Sequence, residues 1–203
     1  MHQTDSTSPA MHLTRFGAGI FTIHDFLSAQ ECAGLIAQSE QIGFTEAVIS
    51  TDEGDRILKD ARNNDRILHD DADLAKRLFT RALPCLPPDL DRWYPSGFNP
   101  RFRFYRYTNE QFFKWHQDGT YRPSEQEESM LTFIIYLNAD YEGGATEFGW
   151  ESIRPQTGMA LVFPHRLRHQ GARVLAGTKY VLRTDVMYRN AADQTGTPCM
   201  KFI

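Results

Sequence analysis

Cysteine is scarce in this sequence, and long apolar runs are absent from it. The three cysteines, Cys32, Cys85 and Cys199, lie far apart and form no C-x-x-C pair. That pattern is typical of reduced thiols rather than of a disulfide framework. No run reaches the roughly 20 apolar residues that span a bilayer, and the polar start of the chain carries no apolar signal-peptide core. We therefore expect a cytoplasmic location and no membrane partner.

A surplus of basic residues is also missing. With 22 Lys and Arg against 26 Asp and Glu, the formal net charge is −4. This argues against a dedicated nucleic-acid-binding protein, because such proteins usually carry a basic surplus. The 203 residues, of which 41% are hydrophobic, are enough for a single domain with a sizeable core.

Two amphipathic helices are predicted in the first half of the chain. Ser28 and Glu31 have the spacing of a capping box, and the apolar positions after them recur with helical periodicity. We therefore expect a helix over 29–42, ended by Gly43. A second helix is expected over 70–83, where acidic residues occupy the first turn and prolines follow the end.

Strands and loops fill the rest of the sequence. We predict strands over 16–23 and 44–50 and a polar loop over 51–59. From Pro100 the character changes to β, since short alternating or apolar runs are separated by Gly and Pro turns. The strands predicted there are 101–107, 112–116, 130–138, 145–148, 159–163, 172–175 and 179–188. Helices followed by many short strands indicate an α+β protein whose second half is a barrel or sandwich.

A single domain accounts for all of these elements, because nothing in the sequence suggests independent units. Its expected segments are a disordered tail over 1–15, a lead-in of helices and strands over 16–99 that packs on the barrel, a catalytic core over 100–190 and a C-terminal tail over 191–203.

A candidate metal site begins with His116-x-Asp118. If the preceding segment is a strand, residues i and i+2 point to the same side, and both side chains can bind one metal ion. A third ligand is needed, and His165 and His169 are the two downstream candidates. We prefer His169, because it lies at the start of a predicted strand, and keep His165 as the alternative. Two histidines and one carboxylate form the facial triad of non-haem Fe(II) oxygenases, which leaves coordination positions open.

An ordered set of motifs resembles the Fe(II)/2-oxoglutarate oxygenase superfamily, and most closely its prolyl 4-hydroxylase-like branch. In chain order the motifs are Phe26-Leu27-Ser28-x-x-Glu31-Cys32, His116-x-Asp118, Gly143-Gly144-Ala145-Thr146-x-Phe148, Pro155-x-x-Gly158 and His169-(x)4-Val174-x-x-Gly177-x-Lys179. The resemblance runs from about residue 20 to 190. It implies a double-stranded β-helix, or jelly roll, supported by N-terminal helices. It also implies Fe(II) and 2-oxoglutarate, with ascorbate as a further candidate, and hydroxylation of a C–H bond with O2 that releases succinate and CO2.

The same resemblance implies roles for residues around the co-substrate. A basic residue about ten positions after the distal histidine pairs with the far carboxylate of 2-oxoglutarate in this family, and Lys179 stands there. A buried dicarboxylate needs such a cation. Arg183 lies four residues along the same strand and is the alternative for this role. Tyr107 occupies the place of a family tyrosine whose hydroxyl reaches the co-substrate, and Tyr136 is a second candidate.

Substrate contacts are less specified. If Tyr107 faces inward, alternation places Tyr105, Arg103 and Arg101 on the same side, near the mouth of the barrel. The segment 62–66 is either part of a substrate cleft or a structural loop. A peptidyl proline and a small molecule such as a free amino acid are the substrates considered.

Asn109-Glu110 replaces the glycine that relatives commonly have just after the strand 101–107, so the sequence does not define the geometry of the turn there.

The alternative to an oxygenase is a cupin-like metal-binding barrel with a non-redox or sensing role. Cupins tend to show H-x-H followed by a glutamate, whereas the second position here is Asp118.

Overall fold

The structure is a computed structural model that describes residues 11–47, 49–51, 54–56 and 59–190. Its helices are α1 (Ala29–Ile42) and α2 (Ala72–Ala82), and a 3-10 turn at Leu83–Cys85 follows α2. The strands before α2 are β1 (His12–Gly17), β2 (Ile20–His24), β3 (Thr45–Glu46), β4 (Ile49–Thr51), β5 (Gly54–Arg56) and β6 (Asp65–Asp70). Those after it are β7 (Trp93–Phe98), β8 (Arg101–Tyr107), β9 (Phe113–His116), β10 (Glu127–Tyr136), β11 (Glu142–Gly143), β12 (Thr146–Phe148), β13 (Glu151–Ile153), β14 (Ala160–Pro164), β15 (His169–Gly171), β16 (Val174–Ala176) and β17 (Lys179–Asn190).

Helix α1 begins and ends where the sequence predicts. The Ser28 Oγ accepts a hydrogen bond from the Glu31 backbone N–H at 3.2 Å, and the Glu31 carboxylate accepts one from the Ser28 N–H at 2.8 Å. Two of the otherwise unsatisfied N–H groups of the first turn are thus paired. Gly43 follows the last turn with φ of 91°, which suits a residue without Cβ.

Helix α2 is slightly shorter than expected. The Asp71 carboxylate accepts a hydrogen bond from the Leu74 N–H at 2.8 Å and so fixes the helix start at Ala72 rather than at residue 70. Pro84 lies in the 3-10 turn after the helix, because its ring cannot continue an α-helix.

The prediction of a single strand over 16–23 is wrong, because this segment contains the turn of a hairpin that β1 and β2 form. Gly17, Ala18 and Gly19 have φ of 82°, 48° and 80°, and this run of left-handed residues reverses the chain. Strand β1 begins at His12, inside the tail that we expected to extend to residue 15. Residues 1–10 of that tail and the C-terminal tail over 191–203 lie outside the described residues.

Other boundaries also differ from expectation. The strand predicted over 44–50 is divided between β3 and β4, and β4 pairs with β5, so the predicted loop over 51–59 contains a strand. Positions 48, 52, 53, 57 and 58 are not described. Strand β7 was not predicted because Pro95 and Gly97 are unusual in strand interiors.

Antiparallel pairing builds two main sheets in the described part of the chain. The larger has the order β1-β2-β14-β10-β17-β8-β6-β3, with β7 beside β17, and the smaller has the order β13-β12-β15-β9. The short pairs β11-β16 and β4-β5 complete the set. The predicted α+β architecture, a double-stranded β-helix with supporting N-terminal helices, is confirmed.

Side chains of β10 alternate between the two faces of the large sheet, so the hydrophobic core consists of two clusters. Phe133 packs toward the helices, where its ring lies 5.1 Å from that of Phe26 and 4.7 Å from that of Phe98. Tyr136 belongs to the second cluster, which includes residues of both sheets, among them Phe148 and Phe163. The lead-in thus covers one face of the large sheet, and the other face lies inside the jelly roll. Neither described helix has the length and apolar character needed to cross a bilayer.

Candidate active site

Three potential metal ligands converge where the small sheet meets the interior of the jelly roll. His116 ends β9 and His169 begins β15, and the two residues are direct cross-strand partners whose rings lie 4.2 Å apart. Asp118 follows just after β9, and its two carboxylate oxygens lie 3.7 Å from the Nε2 atoms of His116 and His169. The three donor atoms are all within 4.8 Å of one another.

Backbone contacts orient both imidazoles for metal binding. The Nδ1 atoms of His116 and His169 lie 2.7 and 2.9 Å from the carbonyl oxygens of Lys114 and Leu167. An Nδ1–H that donates to these carbonyls leaves Nε2 as the free base, turned toward the other donors. Burial lowers the pKa of His116 to about 4 and also lowers that of His169. Both rings are therefore neutral near pH 7, as a ligand must be.

The Asp118 carboxylate is held in its ionised form. Arg183 Nη1 lies 3.0 Å from one oxygen, and the Thr132 hydroxyl donates to the other at 2.6 Å. Burial alone would raise the pKa of Asp118, but Arg183 and the two histidines outweigh burial and hold the pKa well below its usual range. Two neutral nitrogens and one carboxylate oxygen are a donor set that suits Fe(II) with open coordination positions.

His165, the alternative third ligand, lies outside this donor cluster. Its Nδ1 is 2.8 Å from the Thr132 hydroxyl and its Nε2 is 2.9 Å from the Ser129 hydroxyl. Its carbonyl oxygen accepts the Asp118 N–H at 3.0 Å. His165 thus supports the segment that carries Asp118 from behind, with Thr132 between the two side chains.

A cavity extends from the three ligands along the inside of β8, β10 and β17. It is lined by Tyr105, Tyr107, Phe113, His116, Asp118, Ile134, Tyr136, Thr146, His169, Gly171, Lys179, Val181 and Arg183. Lys179, Val181 and Arg183 alternate along β17, which places all three on the inner face. The cavity volume of about 40 Å³ is that of a few water positions.

Lys179 is a buried ammonium whose charge no acidic group balances in the described structure. Its side chain donates to the Gly144 carbonyl at 2.6 Å and lies 5.3 and 5.4 Å from the ring centroids of Tyr107 and Tyr136. Burial lowers the pKa of Lys179 to about 7. A buried cation without a counter-charge suits a carboxylate ligand.

Arg183, in contrast, already has carboxylate partners. Besides Asp118, it contacts Asp185, whose oxygen lies 3.1 Å from Nη2. The second oxygen of Asp185 pairs with Arg103 at 3.1 Å. Burial would lower the pKa of Arg183, but Asp118, Tyr105 and Asp185 outweigh it and raise the pKa further. Of the two cations considered for the co-substrate, Lys179 is the one that has no acidic partner among the residues that the structure describes.

The aromatic candidates also line the cavity. The Tyr136 hydroxyl lies 2.7 Å from the Thr146 hydroxyl, and burial raises the pKa values of Tyr107 and Tyr136, so both phenols remain protonated donors. Tyr105 lies beside them. Arg103 is half-buried and bound to Asp185.

Arg101, which we placed on the same side as Tyr107, is exposed and pairs with Asp70 at 3.0 Å. It does not line the cavity.

Several residues around the site were not singled out from the sequence. Thr132 is a polar residue inside a nearly apolar strand, and Asp185 lies two positions from Arg183 on one face of β17. Both residues could have been singled out from the sequence, because a polar side chain at an inward position of a core strand needs a partner. Thr146, within the Gly-Gly-Ala-Thr motif, and Phe113, whose ring stacks on His116 at 3.5 Å between centroids, gave weaker signals.

Comparison with known proteins agrees with this geometry. The model of the 2OG-Fe(II) oxygenase superfamily matches residues 102–184. Prolyl 4-hydroxylase 1 of Arabidopsis thaliana is 24% identical over 193 residues, with 79% of this chain covered. The chain spans 66% of the length of that plant protein.

Solved structures show the same fold. The viral collagen prolyl hydroxylase of Paramecium Bursaria Chlorella virus-1, determined as a 2OG complex, has a TM-score of 0.60 at 20% identity and covers 85% of this chain and 97% of its own. A prolyl hydroxylase from Trichoplax adhaerens, determined with a hypoxia inducible factor peptide fragment, has a TM-score of 0.63 at 16% identity and covers 83% of both chains. The 2OG-Fe(II) oxygenase superfamily model thus covers the segment that carries the three donor residues and Lys179, and the chain is similar in sequence to a prolyl 4-hydroxylase and in fold to prolyl hydroxylases.

Proposed function

We propose that this protein is an Fe(II)- and 2-oxoglutarate-dependent dioxygenase whose metal ligands are His116, Asp118 and His169. The observation that carries the proposal is the cluster of these three donors within 4.8 Å, in the cavity that Lys179 also lines. When bound there, the iron would supply the activation of O2, in a reaction that turns 2-oxoglutarate into succinate and CO2 and a substrate C–H bond into C–OH.

The protein's own residues bind and orient the reactants. We assign Lys179 to the far carboxylate of 2-oxoglutarate, with Tyr107, Tyr136 and Thr146 as neutral hydrogen-bond donors around it. In this assignment the carboxylate replaces the Gly144 carbonyl as the partner of the ammonium, and so balances the buried charge. Arg183 instead keeps Asp118 ionised and in place.

The walls of the cavity exclude water from the reaction. Ile134 of β10 and Val181 of β17 line the cavity, and both are buried. Exclusion of water strengthens the charge interactions inside the cavity and limits side reactions.

The substrate belongs to the class of peptides or small molecules, with peptidyl proline as the residue suggested by the relatives' names. Tyr105 and Arg103 are proposed to contact it. Ascorbate as an auxiliary reductant and the cytoplasmic location remain predictions. A cupin-like barrel without redox chemistry is not favoured, because it explains neither Asp118 at the second ligand position nor the buried Lys179.

Succinate formation tests the proposal directly. Purified protein supplied with Fe(II), 2-oxoglutarate and O2 should release succinate, and His169→Ala should abolish this release. Arg101→Gln, which changes an exposed residue outside the cavity, should leave it unchanged. If the wild-type protein releases no more succinate than a reaction without protein, the proposed activity is wrong.

A further inference from the structure

Asp118 differs from the two histidine ligands in what holds its backbone. His116 and His169 belong to β9 and β15 and are paired directly across these strands. Asp118 lies beyond the end of β9, in a connection to β10 that has neither helix nor strand over 117–122. A ligand on such a segment needs additional contacts to keep a fixed position. The groups that fix Asp118 therefore bear on metal binding.

A chain of four hydrogen bonds runs from the Asp118 carboxylate to the backbone of Tyr121. The Thr132 hydroxyl lies 2.6 Å from Asp118 Oδ2, and His165 Nδ1 lies 2.8 Å from the same hydroxyl. On the other side of the ring, Nε2 lies 2.9 Å from the Ser129 hydroxyl, which lies 2.8 Å from the Tyr121 nitrogen. His165, Ser129 and Thr132 are all buried, so these groups have one another as partners instead of bulk water.

The two ends of this chain fix the direction of every hydrogen bond in it. An ionised carboxylate only accepts a hydrogen bond, and a backbone N–H only donates one. Thr132 therefore gives its hydroxyl proton to Asp118, and its oxygen accepts a proton from Nδ1 of His165. The Ser129 oxygen accepts the Tyr121 N–H, so its own proton is directed at Nε2. Burial lowers the pKa of His165, which agrees with a neutral ring protonated on Nδ1.

The main chain of His165 binds the same segment a second time. Its carbonyl accepts the Asp118 N–H at 3.0 Å, and its N–H donates to the Met130 carbonyl of β10 at 3.2 Å. The Ser129 N–H donates to the Tyr121 carbonyl at 2.8 Å. The connection that carries Asp118 is thus attached to β10 at both of its ends. Both polar groups of the His165 main chain and both ring nitrogens take part in this attachment.

We propose that His165 is a positioning residue for the metal, although it is not a ligand. Its Nδ1–H keeps the Thr132 hydroxyl turned toward Asp118 as a donor, and this donor keeps the carboxylate in the orientation that binds the ion. Outer partners of metal ligands commonly act in this way, and their loss weakens metal binding. This inference rests on the metal site of the proposed dioxygenase function.

Two amide variants of His165 separate the contact with Thr132 from packing. The amide of asparagine reaches the place of Nδ1, so His165→Asn retains a donor to Thr132. The longer side chain of glutamine reaches the place of Nε2, so His165→Gln retains only the contact with Ser129. Both variants keep a polar, uncharged side chain. A role in packing alone would not favour asparagine over glutamine.

The dissociation constant for Mn(II), measured on the full chain by electron paramagnetic resonance, is the first readout. We expect His165→Gln and Thr132→Val to raise this constant by about tenfold or more. His165→Asn and Thr132→Ser, which retain the hydrogen bonds to Asp118, should stay within about threefold of the wild type. His69→Gln changes a histidine outside the chain of hydrogen bonds and should leave the constant unchanged.

Two further measurements examine the route through Thr132. The double variant of His165→Gln and Thr132→Val should bind Mn(II) no more weakly than the weaker single variant, because both changes remove the same contact to Asp118. Nuclear magnetic resonance of the metal-free full chain with 15N-labelled histidine should show the ring proton of His165 on Nδ1. That measurement uses the wild-type protein and so does not depend on the folding of any variant.

The inference is overturned if the two amide variants weaken Mn(II) binding equally, or if His165→Gln binds Mn(II) as tightly as the wild type. Additive effects in the double variant would overturn it as well, because His165 would then act independently of Thr132. A ring proton on Nε2 would contradict the direction of the chain. A wild-type protein that binds no Mn(II) and releases no succinate would instead refute the dioxygenase function, and the position of the ring proton would still be measurable.

Discussion

Burial changes the pKa of the Lys179 side chain and thereby makes ligand binding depend on pH. With a pKa of about 7 in the ligand-free protein, the amine is partly neutral at physiological pH. A bound carboxylate favours the ammonium, so binding of 2-oxoglutarate above pH 7 requires the uptake of a proton at Lys179. Below pH 7 the ammonium is already present, and no such uptake occurs.

The affinity for 2-oxoglutarate should therefore fall as the pH rises from 7 to 9, by up to about tenfold per pH unit. Calorimetry with Mn(II)-loaded protein in buffers of different ionisation enthalpy measures both the affinity and the proton uptake. Lys179→Arg is the matched control, since a guanidinium stays charged throughout this range. A wild-type affinity that does not change with pH would contradict the assignment of Lys179.

Asp185 is predicted to position a metal ligand that it does not touch. It holds Arg183, which in turn holds Asp118. Asp185→Asn removes the charge that fixes the guanidinium, and we expect the dissociation constant for Mn(II), measured by electron paramagnetic resonance, to rise by about 10-fold or more.

Asp70→Asn is the control for this change, because Asp70 forms a similar pair with Arg101 on the surface. Equal metal affinities in Asp185→Asn and the wild type would show that the Arg183 contact has no positioning role.

The sequence predicts the three ligands far better than the residues that hold them. His116, Asp118 and His169 occur in an ordered pattern with fixed spacing, so a resemblance can find them. Thr132 and Asp185 reach the site from other strands of the jelly roll. Their partners are defined only when strands pair, which local patterns do not specify.

At the scale of elements, Gly158 connects the lead-in to the barrel. Its carbonyl accepts the Leu27 N–H at 3.0 Å, its φ is 77°, and a Cβ at this position would lie 1.9 Å from the Leu27 carbonyl oxygen. Gly158→Ala should therefore lower the free energy of unfolding by about 3 kcal/mol or more, through strain and a backbone clash.

Urea denaturation measures this change. Gly149→Ala is the control, because a Cβ there meets nothing within 4 Å and the backbone φ lies outside the left-handed region, so its effect should stay within about 0.5 kcal/mol. If both variants are equally stable, the close approach of Leu27 to Gly158 is not tight in solution.

Helices and strands differ in how well the sequence defines them. Helix α1 is predicted residue by residue, because its capping box and its terminal glycine are local signals. The hairpin of β1 and β2 is missed because its turn uses Ala18 in a left-handed conformation, which alanine rarely adopts. Strand β7 is missed because its pairing with β17 overrides the low strand propensity of Pro95 and Gly97.

For the whole molecule, the shared core predicts a single cooperative unit. Phe133 of the barrel packs on Phe26 of the lead-in, and Leu74 and Leu78 of α2 belong to the same cluster. A fragment of residues 100–203 would expose this face of the large sheet to water and should not fold. Circular dichroism and urea titration should show one transition for the full chain and none for the fragment. A fragment with its own cooperative transition would contradict this account.

The ligand set His116, Asp118 and His169 is the central claim, and one measurement tests it most directly. Under anaerobic conditions, Fe(II) and 2-oxoglutarate added to the wild-type protein should produce a weak visible charge-transfer band. This band should be absent in His116→Ala and unchanged in His69→Ala, which removes a histidine outside the cavity. A wild-type protein without the band, or a His116→Ala variant that keeps it, would contradict the assignment of the metal site.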